Sequence, residues 1–128
     1  MHYDLLILGS GSANTIPGPE FAGQRIALVE EGVFGGTCLN VGCIPTKMFV
    51  HTANVARQAA DAGRLGVDLR LEGVDWPAIR ERIFGRIDPI SAAGKDYREN
   101  NPDNANLTLY TGHATFVAPK TVQITLAA

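Results

Sequence analysis

Short apolar runs of strand length alternate along this chain with longer stretches in which apolar residues recur at three- and four-residue steps. The first run, Tyr3-Asp4-Leu5-Leu6-Ile7-Leu8, leads directly into Gly9-Ser10-Gly11-Ser12-Ala13-Asn14, and the second, Arg25-Ile26-Ala27-Leu28-Val29, ends at Glu30. Both read as buried strands, being short, apolar and bounded by turn residues. Between them stands Pro17-Gly18-Pro19. Proline donates no N–H and the residue before it avoids helical angles, so about one helical turn from Ser12 is expected, followed by loop until the second strand.

Helical spacing takes over after Cys43. Met48-Phe49-Val50, Ala53, Val55-Ala56, Ala59-Ala60 and Leu65 form an apolar stripe, predicting a helix to about Ala62 that Gly63 and Gly66 end. Met48 and Phe49 read as core residues rather than cofactor contacts. From Trp76 to Glu99, Ile79, Ile83, Phe84, Ile87 and Ile90 predict an amphipathic helix, with Arg80, Arg82 and Arg86 on other faces and Trp76-Pro77 at its start. After the polar run Asn100 to Asn104, strand-like pieces follow at Leu107 to Thr111, Ala114 to Val117 and Thr121 to Leu126, turning at Ala118-Pro119-Lys120.

The opening strand and its glycines suggest a dinucleotide loop. Gly9 suits the tight turn and Gly11 a close backbone approach to a pyrophosphate, although Asn14 stands where a third glycine is usual. Alone this is weak, since a plain strand-to-helix turn explains it equally. Glu30, nineteen residues after Gly11, strengthens it: an acid at the end of the second strand accepts hydrogen bonds from ribose hydroxyls.

Gly35 to Lys47 reads Gly-Gly-Thr-Cys-Leu-Asn-Val-Gly-Cys-Ile-Pro-Thr-Lys and holds the chain's two cysteines, five positions apart. Pro45 suits a first helical turn, so Cys43 is expected where a helix begins, a place that favours thiolate, with Lys47 one turn further along the same face. A structural disulfide is the plain alternative. A ring this short removes little unfolded-chain entropy, however, and no signal peptide directs the chain to an oxidising compartment. Zinc is disfavoured, because His2, His51 and His113 are scattered; no metal site is expected. His51 reads as a polar helix residue.

Taken together, the segment from the first strand through Lys47 resembles the flavin disulfide reductases of the glutathione reductase and dihydrolipoamide dehydrogenase type. The segments Phe84-Gly85-Arg86-Ile87-Asp88-Pro89-Ile90 and Gly94-x-Asp96-Tyr97-Arg98 are similar to one branch of that family, which acts on a low-molecular-weight disulfide. The resemblance implies an α/β, Rossmann-like FAD-binding domain with a three-layer parallel sheet and a small added antiparallel sheet. It places Gly9, Gly11 and Ser12 at the FAD pyrophosphate, Glu30 on the adenosine ribose, and Gly36 and Thr37 along the flavin end. Cys43 is then the flavin-side sulfur, Cys38 the outer thiol that attacks substrate, and Lys47 a neighbour of the flavin's reactive nitrogen. Gly112, His113 and Ala114 run beside the adenine through main-chain contacts. Without the resemblance, His113 is a half-buried strand residue and the Gly-His pair is uninformative.

Length changes the picture. The 128 residues suit one domain, whereas the resembled enzymes add NAD(P) and dimerisation domains, so residues 1–128 are expected to be the N-terminal part of a longer homodimeric protein and inactive alone. A second glycine loop and a C-terminal histidine–glutamate pair are missing, and none of the three histidines takes that role. A dihydrolipoamide dehydrogenase, a metal-ion reductase or a non-catalytic FAD-binding module shares every residue named so far. A net charge of −2, with Glu81, Asp88 and Asp96 among the helix arginines, argues against nucleic acid. With 45% hydrophobic residues and no long apolar run, a cytoplasmic protein without a membrane partner is expected.

Overall fold

A computed structural model describes residues 1–127; Ala128, the last residue of the expected domain, lies outside the described residues. Strand β1 (Leu5–Leu8) pairs in parallel with β2 (Ile26–Glu30), which pairs in parallel with β3 (Leu107–Ala118). Strand β4 (Thr121–Leu126) returns antiparallel along β3, giving one curled, mixed sheet in the order β1-β2-β3-β4. The fold is α/β, as expected for part of a flavin disulfide reductase FAD-binding domain.

The expected small antiparallel sheet is formed by β3 and β4, and it is continuous with the parallel one through β3. The two pieces ending at Thr111 and starting at Ala114 are a single twelve-residue strand. Residues Leu107 to Thr111 pair with β2, and Gly112 to Ala118 pair with β4. Gly112 marks the changeover, and it is far from uninformative. A Cβ there would lie 2.3 Å from the Thr125 carbonyl oxygen, so the close passage of β4 over this point requires glycine. The turn falls at Pro119-Lys120 as predicted, with Lys120 in the left-handed region at φ 55°.

Strand β2 is buried at Ile26, Ala27, Leu28 and Val29, as befits a central parallel strand. Ile7, Ile26, Leu28 and Phe34 form the core cluster, packed by Leu5, Phe21, Leu107 and Leu109. The opposite face of β1 carries Leu6 and Leu8, both exposed.

The connection from β1 to β2 is short, as its prolines predict: one 3-10 turn at Ser12–Thr15 and another at Pro19–Phe21. Helix α1 (Gly36–Asn40) was not expected; α2 (Cys43–Asp61) and α3 (Trp76–Asn100) were. Beyond α2, a 3-10 turn at Ala62–Leu65 runs through Gly63, and Gly66 ends it with φ 76°. The α2 stripe is only partly buried. Val50, Val55 and Leu65 are exposed, while Phe49 stacks on Trp76 with ring centroids 5.2 Å apart.

Helix α3 buries Ile83, Ile87, Ser91 and Arg98 at four- and seven-residue steps. Gly94 lies on the same side and meets the Phe34 ring, while the Ser91 hydroxyl donates to the Phe34 carbonyl. Asp75 caps the helix by accepting from the Ala78 N–H. Ile90, expected in the apolar stripe, is exposed. The arginines are on the surface as expected, with Arg82 donating to the Thr52 hydroxyl of α2 at 2.8 Å.

Gly112→Ala is expected to destabilise the chain by roughly 1–3 kcal/mol, because the intruding carbonyl is backbone and has no rotamer to move. Gly85→Ala, mid-helix with nothing within 4 Å of its added Cβ, is expected to stabilise by about 0.5–1 kcal/mol. Urea unfolding midpoints of the two variants check both signs. Equal midpoints would remove the steric account.

Candidate functional site

Residues at the carboxyl ends of β1 and β2 are tied together by one side chain. Gly9 turns the chain out of β1 with φ 87°, its N–H bonded to the Val29 carbonyl at 2.8 Å. That turn buries Ser10. Its N–H and its hydroxyl donate to Glu30 Oε2 at 2.8 and 2.5 Å, and its hydroxyl oxygen accepts from the Gly35 N–H at 2.8 Å. Glu30 Oε1 accepts from the Gly32 N–H at 2.8 Å. Burial by itself would raise the Glu30 carboxyl pKa, but the hydrogen bonds from Ser10, Gly32 and the Glu31 backbone outweigh it and hold the group below its usual value.

Gly11 and Gly36 meet backbone to backbone. A Cβ on Gly36, whose φ is 69°, would lie 2.6 Å from the Gly11 Cα. The contact needs the bareness of Gly36 and not that of Gly11, since a Cβ on Gly11 would meet nothing nearer than the Gly36 Cα at 3.9 Å. Gly35, also left-handed at φ 109°, precedes α1. Asn40 donates to the carbonyls of Phe34 and Gly36 at 3.0 and 3.1 Å, closing this bend from the other side.

Cys38 lies within α1 and Cys43 is the first residue of α2, so the pair bridges two consecutive helices. The helices are separated by Val41 and Gly42, and a Cβ on Gly42 would crowd the Thr37 carbonyl at 2.8 Å. Both cysteines are free and exposed. The neighbouring Cys43 side chain, with slight desolvation and repulsion between two ionised sulfurs, raises the Cys38 pKa above its ordinary value. One thiolate shared by the pair is therefore easier to form than two. Lys47 follows Cys43 by one turn and is exposed, as is Thr37.

Gly112, His113 and Ala114 lie in β3 beyond its pairing with β2. His113 is exposed rather than half-buried, because it points outward from the strand beyond the covered face. Its ring pairs with Glu31, the residue after the β2 acid. The structure thus gathers Gly9, Gly11, Glu30 and Gly36 through direct backbone and Ser10 contacts, with Ser12 opening the adjoining 3-10 turn. Ser10 and Arg98 escaped the sequence reading. Ser10 had a signal, being the residue enclosed by the two glycines; Arg98 had its seven-residue spacing from Ser91 and its place in the Gly94-to-Arg98 segment. Among the described residues no cluster suited to a metal occurs, and no helix is long and apolar enough to cross a membrane.

Glu30→Gln is expected to lower stability at neutral pH and flatten its acid dependence. The folded pKa lies below the unfolded one, so the anion's contribution is present above the usual carboxylate pKa and disappears as pH falls through the folded value. Melting temperature against pH for the two proteins measures this, and parallel curves would remove Glu30 from the stability account.

No family model matches the chain. Mycothione reductase of Mycobacterium tuberculosis is 49% identical over 114 residues, covering 89% of this chain and 24% of that protein. Dihydrolipoyl dehydrogenase of Bacillus subtilis is 29% identical over 119 residues, covering 91% and 24%. Among solved structures, the HOCl-induced flavoprotein disulfide reductase RclA of Escherichia coli, a Cu(II) complex, superposes with a TM-score of 0.68 at 26% identity, covering 94% of this chain and 24% of that one. The chain spans about a quarter of the length of the curated relatives it matches. It is a homologue of the flavoprotein disulfide reductases and corresponds to their N-terminal region.

Proposed function

We propose that this chain is the N-terminal, FAD-holding part of a flavin disulfide reductase that draws electrons from NAD(P)H and reduces a low-molecular-weight disulfide, with mycothiol disulfide the favoured substrate. The observation that carries the reading is the exposed Cys38–Cys43 pair, set on two consecutive helices that follow a segment packed against a glycine loop. The higher identity to a mycothione reductase than to a dihydrolipoyl dehydrogenase favours the former substrate.

The residues fit FAD. Glu30 ends β2 beside the Gly9 turn, and a carboxylate there is the kind of acceptor that a ribose hydroxyl requires. Gly9, Gly11 and Ser12 would hold the pyrophosphate. Gly36, Thr37, Cys43 and Lys47 would hold the flavin end, and Gly112, His113 and Ala114 the adenine. When bound, FAD accepts hydride from NAD(P)H and supplies the electron pair that reduces the Cys38–Cys43 disulfide.

The two cysteines do the remaining chemistry. Cys38, as thiolate, attacks one sulfur of the substrate disulfide; a mixed disulfide forms and the first substrate thiolate leaves. Cys43 then attacks the Cys38 sulfur, re-forming Cys38–Cys43 and releasing the second substrate thiolate. Each departing thiolate takes a proton, so one disulfide becomes two thiols while two cysteine thiols become a disulfide. Attack needs the Cys38 thiolate, so a base must first take the thiol's proton. His113 is engaged by Glu31, and the base belongs to the remainder of a homodimeric, cytoplasmic protein. The exposed Leu6 and Leu8 on the open face of β1 are suited to cover by that remainder.

The test uses the complete protein. NADH or NADPH oxidation is followed with mycothiol disulfide, oxidised lipoamide and glutathione disulfide, for wild type, Cys38→Ser and Cys43→Ser. Mycothiol disulfide is expected to be the fastest, and either serine variant to lose at least about a thousandfold in turnover. A long-wavelength absorbance shoulder should persist in Cys38→Ser and vanish in Cys43→Ser. Faster lipoamide turnover would favour a dihydrolipoamide dehydrogenase, while bound FAD without any disulfide turnover would favour a non-catalytic module.

A further inference from the structure

Arg98 sits in the last turn of α3 and is buried, only 9% exposed. Its Nε donates to the Asn14 side-chain oxygen at 2.8 Å, one Nη donates to the Asn14 main-chain carbonyl, and the other donates to the Asn104 side-chain oxygen at 2.5 Å. Asn104 is fixed in turn, its amide donating to the Tyr97 carbonyl at 2.7 Å. The Tyr97 ring lies 5.5 Å from the guanidinium carbon. No carboxylate among the described residues forms an ion pair with Arg98. A buried cation is costly without partners, and here the partners are neutral amides and a carbonyl.

Asn14 occupies the position where the glycine-loop pattern has its third glycine. It belongs to the Ser12–Thr15 turn, is itself buried, and its N–H closes the turn onto the Gly11 carbonyl at 3.0 Å. Arg98 therefore grips this turn twice, through a side chain and through a main-chain oxygen. A carboxylate in place of Asn14 would hold the arginine at least as firmly and would cancel its charge. The neutral amide holds it and leaves the charge in place beside the loop.

We propose that Arg98 is a positioning residue for the dinucleotide loop: through Asn14 it fixes the turn that follows Gly11, and its uncompensated charge favours the pyrophosphate of a bound dinucleotide. The inference rests on the FAD reading given above. It goes further in assigning to an Asn–Arg pair, across 84 residues of sequence, the rigidity that a third glycine's close packing gives other loops.

The test uses the complete protein, stripped of flavin, and measures FAD, ADP and adenosine binding together with the melting temperature. Asn14→Asp is the deciding variant, because it keeps size and acceptor atoms while neutralising the arginine. It is expected to melt at or above the wild-type temperature, yet to bind ADP about tenfold more weakly with adenosine unchanged. Arg98→Met is expected to cost ADP between tenfold and a hundredfold relative to adenosine. Asn14→Gly, which restores the third glycine, is expected to weaken ADP rather than strengthen it. If Asn14→Asp binds ADP as wild type does, or loses ADP and adenosine alike, the charge has no role and the proposal is overturned. A wild-type protein that binds FAD but does not prefer ADP to adenosine overturns it too. A wild type that takes up neither FAD nor ADP fails the dinucleotide reading itself, and this inference with it.

Discussion

Ser10 is the residue on which the arrangement depends. Almost wholly buried between Gly9 and Gly11, it donates twice to one oxygen of Glu30 and accepts from the Gly35 N–H. Three stretches of sequence are thereby joined at one atom cluster: the turn leaving β1, the acid ending β2, and the glycine pair that begins the cysteine segment. The exchange is efficient in hydrogen-bonding terms. A hydroxyl both donates and accepts, so one small side chain satisfies a partly buried carboxylate oxygen and a backbone N–H together.

Close approach does the rest. Gly36 meets the Gly11 backbone with no room for a methyl group of its own, and Phe34, just before the Gly35-Gly36 pair, is seated on Ser91 and Gly94 of α3. The path of the chain from β2 to Cys38 is thus fixed by backbone contacts and one aromatic ring rather than by a large apolar core. That suits a pair of exposed cysteines. Sulfurs that must meet a substrate cannot be held by burial, so their positions are set by the buried segments before them and by the helices that carry them.

Much of this was legible in the sequence, and the limits of legibility are physical. Strands β1 and β2 announced themselves as apolar runs, and α2 and α3 by period and by their prolines. Helix α1 did not, because five residues containing glycine and asparagine carry no periodic signal. The continuous β3 was read as two pieces because glycine and histidine have low strand preference; the reason for Gly112 lies in β4, which no local pattern encodes. Likewise, the tight approach at Gly36 is made to the Gly11 backbone, a long-range contact invisible to a local reading. His113 was misjudged for a related reason: exposure on a strand depends on which face another element covers.

Arg98 shows the deepest version of the same limit. An arginine near the end of an amphipathic helix, among other arginines, reads as solvated, and for Arg80, Arg82 and Arg86 the surface placement holds. What distinguishes Arg98 is its phase, seven residues after Ser91 and eleven after Ile87, on the one face of α3 turned inward. At that phase the guanidinium has no water to rely on, and the fold answers with two asparagines and a carbonyl. Asn14 therefore has two consequences at once. Its presence departs from the glycine pattern of the loop, and the same side chain makes a buried cation tolerable without neutralising it, so an apparent fault in the first motif is a compensation for a charge contributed by the last turn of the longest helix.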